Sequence, residues 1–134
     1  MKNEIATQLC LGVILKESNL PSANRLALQN IDQAAGAALK LYASQHELDT
    51  NTSDVFTSIL PKVKAKNLII GSDAKAIMKC HKIIDEITFS NSVVETQVVD
   101  EYITLVKILL AYLHNYRATK AKWAEQVNNI RKSL

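Results

Sequence analysis

The C-terminal third of the chain carries the feature that most constrains the fold, an apolar stripe that no Gly or Pro interrupts. The stripe recurs every three or four residues, which places its members on one face of an α-helix. They are Val98, Tyr102, Val106, Leu109, Leu113 and Tyr116, continued by Trp123, Val127, Ile130 and Leu134. Ser92 and Glu95 have the spacing of a capping box at its start. The pattern predicts one helix from Val93 to about Lys132, roughly 60 Å long at about 1.5 Å per residue.

The rest of the chain also favours helices over strands. Only three Gly and two Pro occur among 134 residues, which is fewer turn residues than a strand-rich fold needs. Helical spacing of apolar residues recurs over about 3–18, 21–46, 55–60 and 73–89. We therefore predict a single all-α domain over residues 1–134, an antiparallel four- to five-helix bundle with a long C-terminal helix. Residues 117–134 are predicted to be an extension of that helix.

Charge and cysteine content limit the classes of function. The formal net charge of +3 permits binding to RNA or an acidic protein, but it is far below that of a dedicated nucleic-acid binder. Cys10 and Cys80 lie far apart without metal-ligand spacing, which suits free thiols in a reducing cytosol. No apolar run reaches the roughly 18 residues needed to cross a bilayer. We expect a cytoplasmic protein that binds no metal, cofactor or membrane.

The stretch "CHKIIDE", residues 80 to 86, combines a thiol, an imidazole and two carboxylates. On a helix, the adjacent side chains of Cys80 and His81 diverge by about 100°, which disfavours a shared metal or a cysteine nucleophile with a histidine base. Cys80 falls on the apolar face with Ile77 and Ile84. The interpretation without chemistry is a buried Cys80 and a polar face on which His81, Lys82, Asp85 and Glu86 are solvated.

Three strings resemble the helices of the HEPN family of small helical bundles. They are "SANRLALQNIDQAAGAALKLYASQHEL", "DVFTSILPKV" and "IMKCHKIIDEITFSNSVVETQVVDEYITLVKILLAYL", and the resemblance spans about residues 3–115. In active members an Arg, four residues and a His cleave RNA without metal, typically with Asn directly after the Arg. In this chain those positions are occupied by Ile84, Asp85 and Phe89. Because Ile84 and Phe89 can neither transfer a proton nor stabilise a phosphorane, the resemblance implies a catalytically silent member. His81, one turn before Ile84, is the alternative catalytic candidate.

Two basic segments are candidates for binding RNA, and an apolar segment is a candidate for binding a partner. The basic candidates are Lys62, Lys64 and Lys66 in one segment, and Arg117, Lys120 and Lys122 in the other. If the two segments adjoin, they form a cationic patch beside Trp123. Otherwise they are solvated helix faces. The partner-binding candidates, named here the tail stripe, are Trp123, Val127, Ile130 and Leu134. The tail stripe either packs back on its own bundle, pairs with a second copy, or holds another protein.

The resemblance implies a non-catalytic HEPN-like interaction module, a homodimer or part of a larger assembly. Such modules belong to bacterial toxin–antitoxin, phage-defence and RNA-processing systems. Two alternatives remain at this point. One is an RNA-binding or RNA-cleaving protein that uses the basic segments and His81. The other is a small immunity or inhibitor protein that acts by covering the surface of its target.

Overall fold

The computed structural model describes residues 1–18, 22–49, 54–88 and 93–134, and helices joined by short turns and loops make up these ranges. Five long helices form the bundle: α1 (Lys2–Glu17), α2 (Ala23–Gln45), α5 (Gly71–Thr88), α6 (Thr96–His114) and α7 (Lys120–Ser133). Two short helices, α3 (Val55–Ser58) and α4 (Leu60–Ala65), connect α2 to α5. No strand occurs in the described ranges, so the predicted all-α bundle is confirmed.

Helices α1 and α2 pack closely and run in opposite directions. The side chain of Gln8 meets that of Gln33 at 3.0 Å, and further along α1 Gly12 faces Ile31. A Cβ atom added at Gly12 would lie only 2.7 Å from Cγ1 of Ile31. The missing side chain at Gly12 therefore sets the distance between the two helices.

Helix α6 lies beside α2 and runs in the same direction. Near their starts, Nδ2 of Asn24 donates to the carbonyl of Val94 at 2.9 Å. Near their ends, Nε2–H of His114 donates to the carbonyl of Ala38 at 2.8 Å. Because α5 ends shortly before Val94, it runs opposite to both helices. Helices α1, α2, α5 and α6 thus alternate in direction along the chain.

The core lies between α1, α2, α5 and α6. Five alanines on α2 are completely buried, which lets neighbouring helices approach its backbone: Ala27, Ala34, Ala35, Ala38 and Ala43. The largest fully buried side chains come from these four helices and from the turn between α3 and α4: Leu9, Leu28, Ile31, Leu39, Ile59, Ile77, Tyr102, Leu109 and Leu110. Fully burying a residue of the Leu or Ile type contributes about 1.5–3 kcal/mol. This shared core holds the bundle together.

The prediction of one continuous C-terminal helix is wrong. Helix α6 ends at His114, because Asn115 adopts a left-handed conformation with φ 54°. Asn tolerates this conformation better than most residues do. The amide of Tyr116 then donates to the carbonyl of Leu110 at 3.0 Å, which satisfies one of the last carbonyl groups of α6. The apolar spacing gave no sign of this end, since an Asn interrupts a helix through its backbone conformation.

A new helix begins after the break rather than extending the old one. The hydroxyl of Thr119 accepts a hydrogen bond from the amide of Lys122 at 3.1 Å and so caps α7. Residues 117–134 are therefore not an extension of α6, and α7 packs against α1. At the other end, Glu95 is the N-cap of α6 without a side-chain hydrogen bond, and Ser92 of the predicted capping box lies outside the described residues.

Among the described residues, no helix combines the length and the apolar character that a membrane crossing requires.

Candidate functional site

A histidine held between two aspartates is the most distinctive polar feature of the described structure. Nδ1 of His81, on α5, lies 3.0 Å from Oδ1 of Asp32 on α2. Nε2 of His81 lies 2.9 Å from Oδ2 of Asp54, the N-cap of α3. Together with Tyr102 and Phe56 these residues are named here the His81 cluster. It joins four helices that are far apart in sequence.

Tyr102 and Phe56 complete the cluster from two sides. The hydroxyl of Tyr102, which is fully buried on α6, donates to Oδ1 of Asp32 at 2.5 Å. The ring of Phe56 stacks on the imidazole at 3.8 Å between centroids, with 7° between the planes. Asp54 is itself fixed, because its Oδ1 accepts from the amide of Phe56 at 3.0 Å. Each member is thus positioned by at least one other member.

The geometry assigns a positive charge to His81. A carboxylate can only accept hydrogen bonds, so both ring nitrogens must carry a proton to donate to Asp32 and Asp54. Burial alone would lower the pKa of His81, but the hydrogen bonds and charges of the two aspartates outweigh it and raise the pKa. Stacking on the face of Phe56 also favours the cation. His81 therefore stays protonated over a wider pH range than a free histidine.

The other cluster members also have shifted pKa values. Burial raises the pKa of Asp32, against the opposing effect of hydrogen bonds from Tyr102 and His81. Burial and the nearby charge of Asp32 raise the pKa of Tyr102. Tyr102 therefore acts only as a hydrogen-bond donor to the carboxylate. These directions describe a cluster of hydrogen bonds in which Tyr102 and His81 both donate to Asp32.

This arrangement is poorly suited to acid–base catalysis. A general base needs a nitrogen with a free lone pair within reach of the substrate, and both nitrogens of His81 already donate to aspartates. An open groove of about 380 Å³ lies beside the cluster, and Asp32, Asp54, Phe56, Gly36 and Lys40 contribute to its lining. The imidazole is not among its lining residues. The cluster is organised to join helices.

The prediction of a solvated His81 is therefore wrong, while the predicted burial of Cys80 is confirmed. Only 19% of the His81 side chain is exposed, because α2 and α3 cover it. Cys80 is buried, and burial raises the pKa of its thiol to about 11. Ile84 is half-buried and packs against the core, whereas Asp85 is exposed. Phe89 lies outside the described residues.

The two basic segments lie on different parts of the bundle. Lys62, Lys64 and Lys66 are exposed on α4 and directly after it, and α4 packs against α3 and α5. Lys120 and Lys122 are exposed on α7, which packs against α1. These helix contacts give no support to a single cationic patch. Arg117 instead lies over the ring of Tyr112, 4.8 Å from its centroid.

The tail stripe packs back on its own bundle, which was one of the predicted alternatives. Trp123 and Val127 are 7% and 9% exposed and contribute to the core, so they are covered rather than free for a partner. Ile130 is half-buried, and Leu134 is 78% exposed. Of the four partner-binding candidates, only Leu134 presents most of its surface to solvent.

No protein-family model matches the chain, and neither a curated protein nor a solved structure is significantly similar to it. Within the described ranges, no group of three or more His, Cys, Asp and Glu side chains is arranged to hold a metal ion.

Sequence reasoning missed Asp32, Asp54 and Tyr102 as partners of His81. A signal for Asp32 was present, because its carboxylate lies in the apolar stretch between Ile31 and the alanines of α2. A carboxylate on a face that is otherwise core requires a buried donor. Tyr102, predicted on the core stripe, likewise needed an acceptor for its hydroxyl. Only the fold reveals that these requirements meet at His81.

Proposed function

We propose that the chain is a non-catalytic helical interaction module of the HEPN type, which acts as a homodimer or within a larger assembly. In keeping with the resemblance, a bacterial toxin–antitoxin, phage-defence or RNA-processing system is its proposed setting. The observation that carries the non-catalytic part is the state of His81. The only histidine near the family's catalytic positions has both nitrogens occupied by aspartates.

The position that holds an Arg in active family members supports the same proposal. Ile84 is half-buried against the core and offers no charge to a phosphate. Lys79 and Lys82 are exposed near it, but a cation without a free base does not activate a 2′-hydroxyl group.

A cleavage assay tests this part. Labelled single-stranded RNA is incubated with the unaltered chain and with His81→Ala, and neither is expected to cleave it. Cleavage by the unaltered chain that His81→Ala abolishes would establish the nuclease alternative instead. A folding check by circular dichroism accompanies both proteins, so that loss of activity is not confused with loss of structure.

An exposed apolar residue next to the N-terminus of α6 supports the interaction part. Val93 is 90% exposed, although its neighbour Val94 is buried and its carbonyl is held by Asn24. When a partner covers an exposed valine on an anchored segment, the burial of its apolar surface stabilises the complex. It lies between α5 and α6, the helices through which dimerisation is expected from the resemblance.

Size-exclusion chromatography with light scattering tests the homodimer. The unaltered chain is expected to have twice the monomer mass, and Val93→Asp is expected to shift it toward the monomer. Ile70→Asp is the matched control, because Ile70 is also an exposed apolar residue, 65% exposed, but precedes the other end of α5. A monomer at all concentrations up to about 100 µM would refute the homodimer and favour the immunity or inhibitor alternative. If Val93→Asp and Ile70→Asp shift the mass toward the monomer equally, Val93 is not part of the dimer interface.

A further inference from the structure

A second groove, separate from the His81 cluster, lies between α1, α6 and α7. Its volume is about 270 Å³, and it shares no lining residue with the cluster. The lining includes apolar side chains from two helices, among them Leu9 and Val13 of α1 and Trp123 and Val127 of α7. It is named here the α1–α7 groove. It exists because α7 packs back on α1 rather than continuing α6.

The charges around the α1–α7 groove are unbalanced. Glu17 is the one carboxylate among its described lining residues, and it is already paired with Arg131. Lys107 and Lys120 also line the groove, and neither forms an ion pair with a carboxylate in the described part of the chain. Two ammonium groups therefore border an apolar surface without an anionic partner.

Lys107 is the more informative of the two lysines. It is half-buried on α6, and its ammonium lies 5.2 Å from the ring centroid of Trp123. Burial, together with the charges of Lys120 and Lys16, lowers its pKa, against an opposing effect of Cys10. A half-buried cation is costly without a counter-ion, and a carboxylate placed here would form a charge-assisted hydrogen bond in a partly dry site.

We infer that the α1–α7 groove binds a small apolar monocarboxylate, whose body lies against Val13 and Trp123 and whose carboxylate contacts the ammonium of Lys107. The volume limits the size of this ligand. Pockets for drug-sized ligands measure about 300–1,000 Å³, so a groove of about 270 Å³ suits a medium-chain fatty acid or a single-ring acid.

The chain carries its own reporter for this site. Trp123 is the only tryptophan, so every change in tryptophan emission reports on the wall of the α1–α7 groove. Three probes with the same apolar body separate the effect of the apolar wall of the groove from that of the ammonium group: sodium octanoate, octanol and octyltrimethylammonium. We expect a saturable change in emission with octanoate. Octanol is expected to bind about tenfold more weakly, which corresponds to about 1.4 kcal/mol for the lost contact with the ammonium. The cationic probe is expected to give no saturable change.

A pair of variants locates the charge contact. Lys107→Met keeps the length and the apolar stem of the side chain, and it is expected to weaken octanoate binding about tenfold while leaving octanol binding unchanged. Lys40→Met is the control, because Lys40 is an exposed lysine that lines the other groove. Its octanoate affinity is expected to equal that of the unaltered chain.

The inference is overturned if octanoate gives no saturable signal, or if octanol binds as tightly as octanoate. It is also overturned if Lys107→Met and Lys40→Met bind octanoate equally. Should Lys107→Met fail to fold, the comparison of the three probes on the unaltered chain still decides the question. A negative result leaves the homodimer proposal untouched, because Val93 is not part of this groove.

Discussion

Replacing Tyr102 by Phe removes one oxygen atom from the His81 cluster and leaves the packing of the ring in place. The lost contact is a hydroxyl donating to a carboxylate at 2.5 Å, in a site where only 15% of the Asp32 side chain is exposed. Hydrogen bonds to charged groups contribute about 1.5–3 kcal/mol. Because Asp32 keeps its hydrogen bond from His81, it is not left without a donor, and we expect a loss of about 2 kcal/mol.

Tyr116→Phe is the matched control for this experiment. The hydroxyl of Tyr116 also makes a short contact, accepting from Nε2 of Gln126 at 2.6 Å. Both partners are neutral, however, and Tyr116 is only half-buried. Neutral hydrogen bonds contribute about 0.5–1.5 kcal/mol, so we expect a loss below about 1 kcal/mol.

Urea unfolding, followed by circular dichroism, measures both losses. At about 2.1 cal/mol/K of unfolding entropy per residue over 134 residues, a loss of about 2 kcal/mol also lowers the melting temperature by about 7 °C. If Tyr102→Phe changes the free energy of unfolding by less than about 0.5 kcal/mol, the hydrogen bond to Asp32 contributes nothing. If Tyr116→Phe lowers the free energy of unfolding as much as Tyr102→Phe does, the charge of Asp32 does not explain the loss.

Three further outcomes are expected. Because folding raises the pKa of His81, protonated His81 stabilises the fold fully below the unfolded pKa of about 6.5, and this stabilisation is lost as pH rises through the folded pKa. The urea concentration at the midpoint of unfolding should therefore fall between pH 6 and pH 9. It should fall less in His81→Gln. Gly12→Ala should destabilise the fold by about 1–3 kcal/mol, because its Cβ would lie 2.7 Å from an α2 side chain. Gly36→Ala should stabilise the fold by about 0.5–1 kcal/mol, because its Cβ would lie 3.5 Å from the nearest side-chain atom. Thermal melts should show a lower melting temperature for the first variant and a higher one for the second, and shifts in the same direction would contradict the packing. The two buried thiols should react with Ellman's reagent only after unfolding, and rapid reaction in buffer would contradict their burial.

The helices were predictable because each one buries a continuous apolar face. On α6, Tyr102, Val106 and Leu109 of the predicted stripe are fully buried, as its spacing indicates, while Val98 and Leu113 are partly buried against the same core. The end of α6 was not predictable from that spacing. It depends on Asn115 adopting a left-handed conformation and on Thr119 capping the next helix, and neither changes the apolar pattern.

The candidate site was predictable only in part. The resemblance indicates α5 and positions 84 and 85, and the place of His81 one turn earlier makes it a candidate. Its partners come from α2, α3 and α6, and no spacing along α5 contains them. Pairwise contact between distant segments follows from the packing of the bundle, which local patterns do not specify.

The His81 cluster places hydrogen-bonded ionisable groups between the helices of the bundle. Replacing a buried ion pair by apolar residues is often neutral or stabilising, so stability alone is a weak reason for such a cluster. Geometry is a stronger one, because α3 is only four residues long and only Val55 and Phe56 of these are buried in the core. The hydrogen bond from His81 to Asp54 holds the N-terminus of α3, and the hydrogen bond from His81 to Asp32 links α3 to α2.

His81→Ala should therefore release α3 while the long helices stay folded. Hydrogen exchange of the amides at 55–58 should increase many-fold relative to those in α6, and a uniform increase across the chain would show that the cluster supports the whole fold instead.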